Sequence, residues 1–202
     1  MSLVLPNSWL VLKLGDVVRY GRTEKVEPES IPDEAWILEL EDIEKNTSRI
    51  LQRHRFAERR SKSTKNRFSA GDVLYGKLRP YLNKVILADA AGYCTTEIIP
   101  IKGNEAVDAR FIFHWLKHPA FLDYVSSVSH GINMPRLGTE AGNNAPFVLA
   151  PLAEQKRIVD EVDRRLSLIH GVEVQVEANL KRAQTLRGSV LAKSFSTGEI
   201  HG

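Results

Sequence analysis

The sequence predicts an α+β domain followed by one long helix, and three observations carry that prediction. Over the first 150 residues, short β-forming runs mix with helical periodicity, without a regular βαβ rhythm. From Leu152 onward, apolar residues recur at spacings of three, four or seven. Between these textures lies Pro151-Leu-Ala-Glu-Gln155, whose proline can open a helix where its missing N–H costs nothing. Glu154 falls in the first turn, where the helix dipole favours negative charge.

The elements follow in order. Trp9 to Val18 (WLVLKLGDVV) is a short apolar strand or turn leading to Gly15-Asp16. Ala35–Leu40 and Asp72–Leu78 are strands rich in β-formers, with Lys84–Ala88 and Ile98–Ile101 as further strands. Arg110–Leu116 and Ala120–Val125 are helical, separated by Pro119, which a helix interior does not tolerate. Residues 126–150 hold three glycines, two prolines and three asparagines and are expected to form a loop-rich lead into the long helix.

That helix carries a narrow seam: Val159, Val162, Leu166, Ile169, Val176, Leu180, Ala183 and Val190. Glu173 and Arg187 interrupt it, with Val172 and Leu186 beside them. The plain alternative is an amphipathic helix lying on its own domain. Length argues against it: about 40 helical residues reach ~60 Å, whereas a 150-residue domain is only ~30 Å across. A narrow seam of that length calls for a second helix, as in a coiled coil. The expected organisation is a globular domain at 1–150, a pairing helix at 151–195 and a tail at 196–202.

Composition narrows the class. With 43% hydrophobic and 26% charged residues the chain is globular rather than disordered. A single cysteine, Cys94, leaves no internal disulfide and fits a reducing compartment. No apolar run reaches membrane-spanning length and no secretion signal is visible, so a cytoplasmic protein without a membrane partner is expected.

A net charge of +3 is too small to imply nucleic acid by itself, but it hides a local bias. Residues 45–67 place Lys45, Arg49, Arg53, Arg55, Arg59, Arg60, Lys62, Lys65 and Arg67 against Glu58 alone. Interleaved with Ser, Thr, Asn and Gln, this stretch has the make-up of a phosphate-contacting surface. The bland reading is a solvated basic loop. A second candidate is Lys77-Leu-Arg79-Pro-Tyr81 with Asn83 and Lys84, whose polar groups can reach base edges or phosphates. A third is His130-Gly-Ile-Asn133-Met-Pro-Arg136, in which Asn133 and Arg136 can read adenine and guanine.

Nothing in the sequence looks catalytic. Gly71-Asp-Val-Leu-Tyr-Gly76-Lys77 matches a phosphate loop until Leu78, where a magnesium-binding hydroxyl should stand, and the intervening residues are strand formers. His114 and His118 are four apart but lack a third metal ligand, so no metal site is expected. Cys94 is read as a small buried residue. Ser129-His130 is adjacency alone, which is not how triads are built.

Several stretches resemble the specificity subunit of type I restriction–modification systems: Asn7-Ser-Trp9 with Leu14-Gly-Asp16, Ala70-Gly-Asp-Val-Leu74, Leu78-Arg-Pro-Tyr-Leu-Asn-Lys84, and Gly131 with Met134-Pro-Arg136. The most specific is Pro151-Leu-Ala-Glu-Gln-Lys-Arg-Ile-Val159, with Leu191-Ala-Lys-Ser-Phe195 and Gly198 beyond it. The resemblance implies a target-recognition domain at 1–150, a spacer helix, and sequence-specific binding of double-stranded DNA without catalysis. It implies partnership with an adenine-methylating modification subunit and a restriction subunit. S-adenosylmethionine, magnesium and ATP are then expected on those partners only, with no cofactor here. Subunits of this family typically hold two recognition domains and two helices, whereas this sequence shows one of each and no internal repeat. It therefore looks like a half-subunit, natural or a fragment, for which a homodimer through the long helix is expected. The rival readings are a structural coiled-coil adaptor and a stand-alone DNA-modifying enzyme. Against the enzyme, Pro32-Asp33 lacks the downstream acid-x-Lys of a nuclease site, and no methyl-donor loop is present.

Overall fold

Side chains alternate between faces along a strand, and that alternation decides where the core forms. The computed structural model describes residues 6–129 and 134–196, and the chain divides after Val159 into two compact units. The first begins with β1 (Leu10–Lys13), α1 (Leu14–Val17), β2 (Glu24–Val26), β3 (Trp36–Leu38), β4 (His54–Arg55), α2 (Phe56–Arg59) and β5 (Lys65–Phe68). It continues with β6 (Val73–Gly76), β7 (Val85–Leu87), β8 (Gly92–Thr95), β9 (Ile98–Ile101), α3 (Ala109–Leu116), α4 (Pro119–Val128), α5 (Thr139–Asn143) and β10 (Pro146–Leu149). The long helix α6 spans Leu152–Ser196.

The strands form a pair β1-β10, a five-stranded sheet β2-β5-β8-β3-β4, and a three-stranded sheet β7-β6-β9. Only β3 and β8 run parallel among the described residues. The three-stranded sheet is the centre. Val73, Tyr75, Val85, Ile99 and Ile101 join Phe111, Ile112 and Leu116 of α3 and Phe121 and Val125 of α4. Leu74, Ile86 and Ile98 turn to the other face, against Leu38, Phe68 and Cys94 of the five-stranded sheet. Burial on both faces is why these strands read as unbroken apolar runs rather than alternating ones.

Pro119 does more than end α3. It occupies the first turn of α4, where His118 caps the helix by accepting from Ala120 N–H at 3.2 Å. The same imidazole stacks on Trp115, with centroids 5.1 Å apart. The expected loop at 126–150 is corrected: α4 runs to Val128, and the segment contains α5 and β10. β10 pairs with β1 from Leu10↔Leu149 to Lys13↔Pro146, a partner at the other end of the domain's sequence. Local composition registers the turns that flank β10, not the strand that claims it.

The start of α6 is set by Gln155, which is fully buried. Its Oε1 accepts from Asp108 N–H at 2.9 Å, while Nε2 donates to Ala106 C=O at 2.9 Å and Ala150 C=O at 2.7 Å. Beside it Glu154 accepts from the Trp9 indole N–H. Val159 is 1% exposed and lies in the domain core, so this first member of the seam is corrected from a pairing residue to a packing residue. Val162 is half-buried and Ala183 exposed. In the second unit Leu166, Ile169, Val176, Leu180 and Val190 are each about half or more exposed. Arg164 and Arg165 both bond Glu161, holding its carboxyl well below the usual range.

Gln155→Leu keeps the volume but orphans two carbonyls and one N–H. Each buried unpaired group costs ~1–3 kcal/mol, so the variant should lose at least ~2 kcal/mol in urea unfolding. Stability within 0.5 kcal/mol of the parent (roughly the noise of a surface change) would show that this amide does not hold the junction.

Candidate nucleic-acid interface

The basic stretch of residues 45–67 does not fold into a free cationic surface. Arg49 bonds Glu44 at 2.9 Å, Arg55 meets Glu34 at 2.7 Å, and Arg67 meets Glu24 at 3.3 Å. Arg53 pairs with Asp89 while its guanidinium lies 4.4 Å over the Trp36 ring. Arg59 bonds the buried Asp42 and approaches Glu41. Lys65 is the extreme case: its side chain is 2% exposed, with Nζ 2.6 Å from Glu39 and 3.0 Å from Ser63 Oγ. Among the described residues, Lys45, Arg60 and Lys62 carry no ion pair.

Exposure separates these cations by role. Pairs such as Arg49–Glu44 and Arg55–Glu34 are open to solvent, worth only ~0–1 kcal/mol, and can exchange a carboxylate for a phosphate. Lys65 cannot. As the first residue of β5, it places its aliphatic stem in the sheet and its ammonium on Glu39, so the expected phosphate contact is corrected to a structural ion pair. Arg59, 19% exposed, shares that role.

The two shorter candidates meet in space. Arg79 N–H donates to Pro135 C=O at 2.7 Å, Leu137 N–H to Lys77 C=O at 3.0 Å, and Leu78 bridges Arg136 antiparallel. Two segments more than 50 residues apart thus form one short ladder, in which Arg136 lies opposite Leu78 and Arg79 is the next residue along. Arg136 is anchored by Glu97 Oε2 at 3.1 Å. Arg79 is exposed and carries no ion pair among the described residues. Lys77 is half-buried, and Asn133 lies outside the described residues.

The turn between Arg79 and Lys84 divides structural from accessible groups. Arg79 and Asn83 both take left-handed backbone, φ 49° and 48°, on either side of the 3-10 turn Pro80–Leu82. Each such non-glycine residue costs ~1–3 kcal/mol unless the surroundings over-determine it. Asn46 N–H supplies one restraint, bonding Leu82 C=O at 3.1 Å. Asn83 is buried, and Lys84 donates to Leu40 C=O at 2.7 Å, burial lowering its ammonium while Glu41 and Asp42 oppose that. Tyr81 is 58% exposed and Met134 46%. Arg79, Tyr81, Met134 and Arg136 thus all stay open to solvent. Guanidinium can bind guanine O6 and N7 in bidentate fashion. Cys94 is fully buried, its thiol pushed up chiefly by desolvation, so it offers no nucleophile.

No protein-family model matches the chain. Over 196 residues it is 30% identical to the type I restriction enzyme EcoDI specificity subunit of Escherichia coli, a match covering 97% of this chain and 43% of the relative. The fold is shared with a chain from a structure of complex assembly and conformational transition in the type I R-M system, at TM-score 0.83 and 22% identity, covering 100% of this chain and 53% of that one. It is shared too with the HsdS subunit from Thermoanaerobacter tengcongensis, at TM-score 0.73 and 23% identity, covering 94% of this chain and 50% of that one. The chain spans about half the length of the relatives it matches.

Lys65→Met leaves Glu39 without its cation. Breaking a buried pair costs ~3–5 kcal/mol, so unfolding should shift by about 3 kcal/mol while the salt dependence of any DNA binding stays unchanged. A fully stable variant with a flatter salt slope would return Lys65 to the phosphate surface.

Proposed function

We propose that this chain, a homologue of one half of a type I restriction enzyme specificity subunit, recognises duplex DNA by sequence without catalysing any reaction on it. The single observation that carries this reading is that the likeness covers essentially all of this chain and about half of each relative. One recognition domain and one spacer helix account for that half. The ladder presenting Arg79 and Arg136 supports base contact, and the exposed cations Arg49, Arg53, Arg55, Arg60 and Lys62 support contact with phosphates. Adenine methylation and restriction belong to a modification and a restriction subunit bearing S-adenosylmethionine, magnesium and ATP. The complex works in the cytoplasm, where its DNA lies.

The exposed seam on α6 supports self-pairing. Leu166, Ile169, Val176, Leu180 and Val190 expose apolar surface that a second helix covers, and a second copy of this chain supplies one. In a two-fold pair each patch meets its own equivalent. Antiparallel helices then place two identical domains apart, and such a pair reads an inverted repeat of two short half-sites.

Two measurements test the reading. The chain should bind random-sequence duplex with affinity that falls steeply between ~50 and 200 mM salt. Arg79→Ala should cost ~1–3 kcal/mol at one base position and relax preference there. Uniform weakening across sequences would move Arg79 to the phosphate class. No salt-sensitive affinity at all would leave a coiled-coil adaptor as the better reading. Sedimentation addresses pairing separately: the chain should run as a dimer, and Leu166→Glu with Val176→Glu as a monomer. A monomeric parent chain refutes self-pairing, and a dimer that survives both changes places the contact elsewhere.

A further inference from the structure

The turn Arg19-Tyr-Gly-Arg22 sets two arginines at its ends. Arg22 N–H donates to Arg19 C=O at 3.3 Å, closing a turn in which Gly21 has φ 81°. That left-handed value is what the third position of a type II turn requires, and such a turn holds its ends within ~7 Å. The turn is pinned from below. Tyr20 is 3% exposed, packs edge-on to Tyr75 at 6.1 Å, and directs its hydroxyl to Leu137 C=O at 3.5 Å. A Cβ on Gly21 would lie 2.7 Å from the Thr139 methyl, so the loop sits tightly on α5. The backbone of two exposed arginines is thereby held close together, and neither has an ion pair among the described residues.

Both line one surface cavity of about 580 Å³, together with Lys102, Arg67, Glu24 and Asn104. Four of its lining side chains are cationic and one is acidic, and Glu24 is already engaged by Arg67 across β2 and β5. Lys102 also has no ion pair among the described residues. Its loop is locked: Asn104 donates to Val17 C=O at 2.7 Å and accepts from Ala106 N–H at 2.8 Å. Positive charge is thus concentrated on restrained backbone, and three of its four cations have no ion pair among the described residues. In residues 45–67, by contrast, six of the nine cations are paired.

We propose that this cavity binds backbone phosphodiester of duplex DNA and holds the domain in register on it. The proposal rests on the DNA-recognition reading above and deepens it. Leu137 joins the two parts: its N–H bonds Lys77 beside the Arg79–Arg136 ladder, and its C=O accepts from Tyr20 of the turn. Phosphate contact at the cavity and base contact at the ladder are therefore tied through one residue.

The test is fluorescence anisotropy on the full chain with a labelled random-sequence duplex, across ~50–200 mM salt. Arg19→Ala, Arg22→Ala and Lys102→Ala together should weaken binding about tenfold and flatten the salt slope by about 2 to 3 units, at ~0.9 per phosphate lost. Arg19→Lys with Arg22→Lys keeps the charge and should keep the slope; losing it there would mark a structural effect and overturn the proposal. A parent chain that binds DNA, with affinity and slope unchanged in the triple variant, overturns the site but not the function. A parent chain that binds no duplex overturns both. Titration with inorganic pyrophosphate separates the remaining source: its binding lost in the triple variant, with the DNA slope intact, would assign the cavity to a free anion and overturn the proposal.

Discussion

One buried amide holds the junction on which the long helix begins. Gln155 uses its carbonyl once and its amino group twice, on partners drawn from the loop before α3 and from the end of β10. No other neutral side chain of that length both donates and accepts. A glutamate would bring charge into a fully enclosed site, and an aliphatic residue would strand three backbone groups. Glu154 adds the Trp9 indole, so the start of the domain, its middle and the head of α6 converge within two consecutive residues. A network of this kind is satisfied in full or becomes costly, which leaves few sequences able to build it.

Charge behaves differently, because its partners are dispersed. Counting residues 45–67 finds nine cations and one acid, yet the fold returns Glu24, Glu34, Glu39, Asp42 and Asp89 to that stretch from elsewhere in the chain. Density of charge along a sequence measures neither field nor availability once strands bring distant acids alongside. The three cations at the cavity that have no ion pair among the described residues show the converse. Arg19, Arg22 and Lys102 are more than 80 residues apart at their extremes and form no visible motif, but topology gathers them. The only local signal is the Arg-Tyr-Gly-Arg turn, where a buried aromatic and a left-handed glycine fix the two arginines.

Periodicity and turn chemistry made much of the fold legible. Strands β3, β6, β7 and β9, helices α3 and α4, and the start of α6 follow from apolar runs, Pro119 and Pro151. Strands β2, β5 and β8 did not, since Glu24–Val26 and Lys65–Phe68 are polar segments that become strands through pairing with distant partners. The helix seam shows the same boundary. A three–four spacing reports that a face is apolar, and it is silent on what covers that face. Val159 and Leu166 lie in one seam by sequence, yet the first is enclosed by its own domain and the second is half exposed. Only the packing of the junction separates them.

The candidate recognition surface was legible in its parts but not in its assembly. Two short motifs, each weak alone, gain weight because Leu78 and Arg136 pair directly. The strained residues within them point the same way. Left-handed backbone at Arg79 and Asn83 costs more than a glycine would at either position. What the strained geometry achieves is to bury Asn83 and Pro80 while leaving Arg79 and Tyr81 outside. A guanidinium on a rigid ladder loses less freedom on binding than one on a mobile loop, so more of its hydrogen-bond energy remains for discrimination between bases. Phosphate contacts position a domain without distinguishing sequence. Leu137 bonds both the ladder and the turn below the cavity, so the two proposed contacts are held in fixed relation.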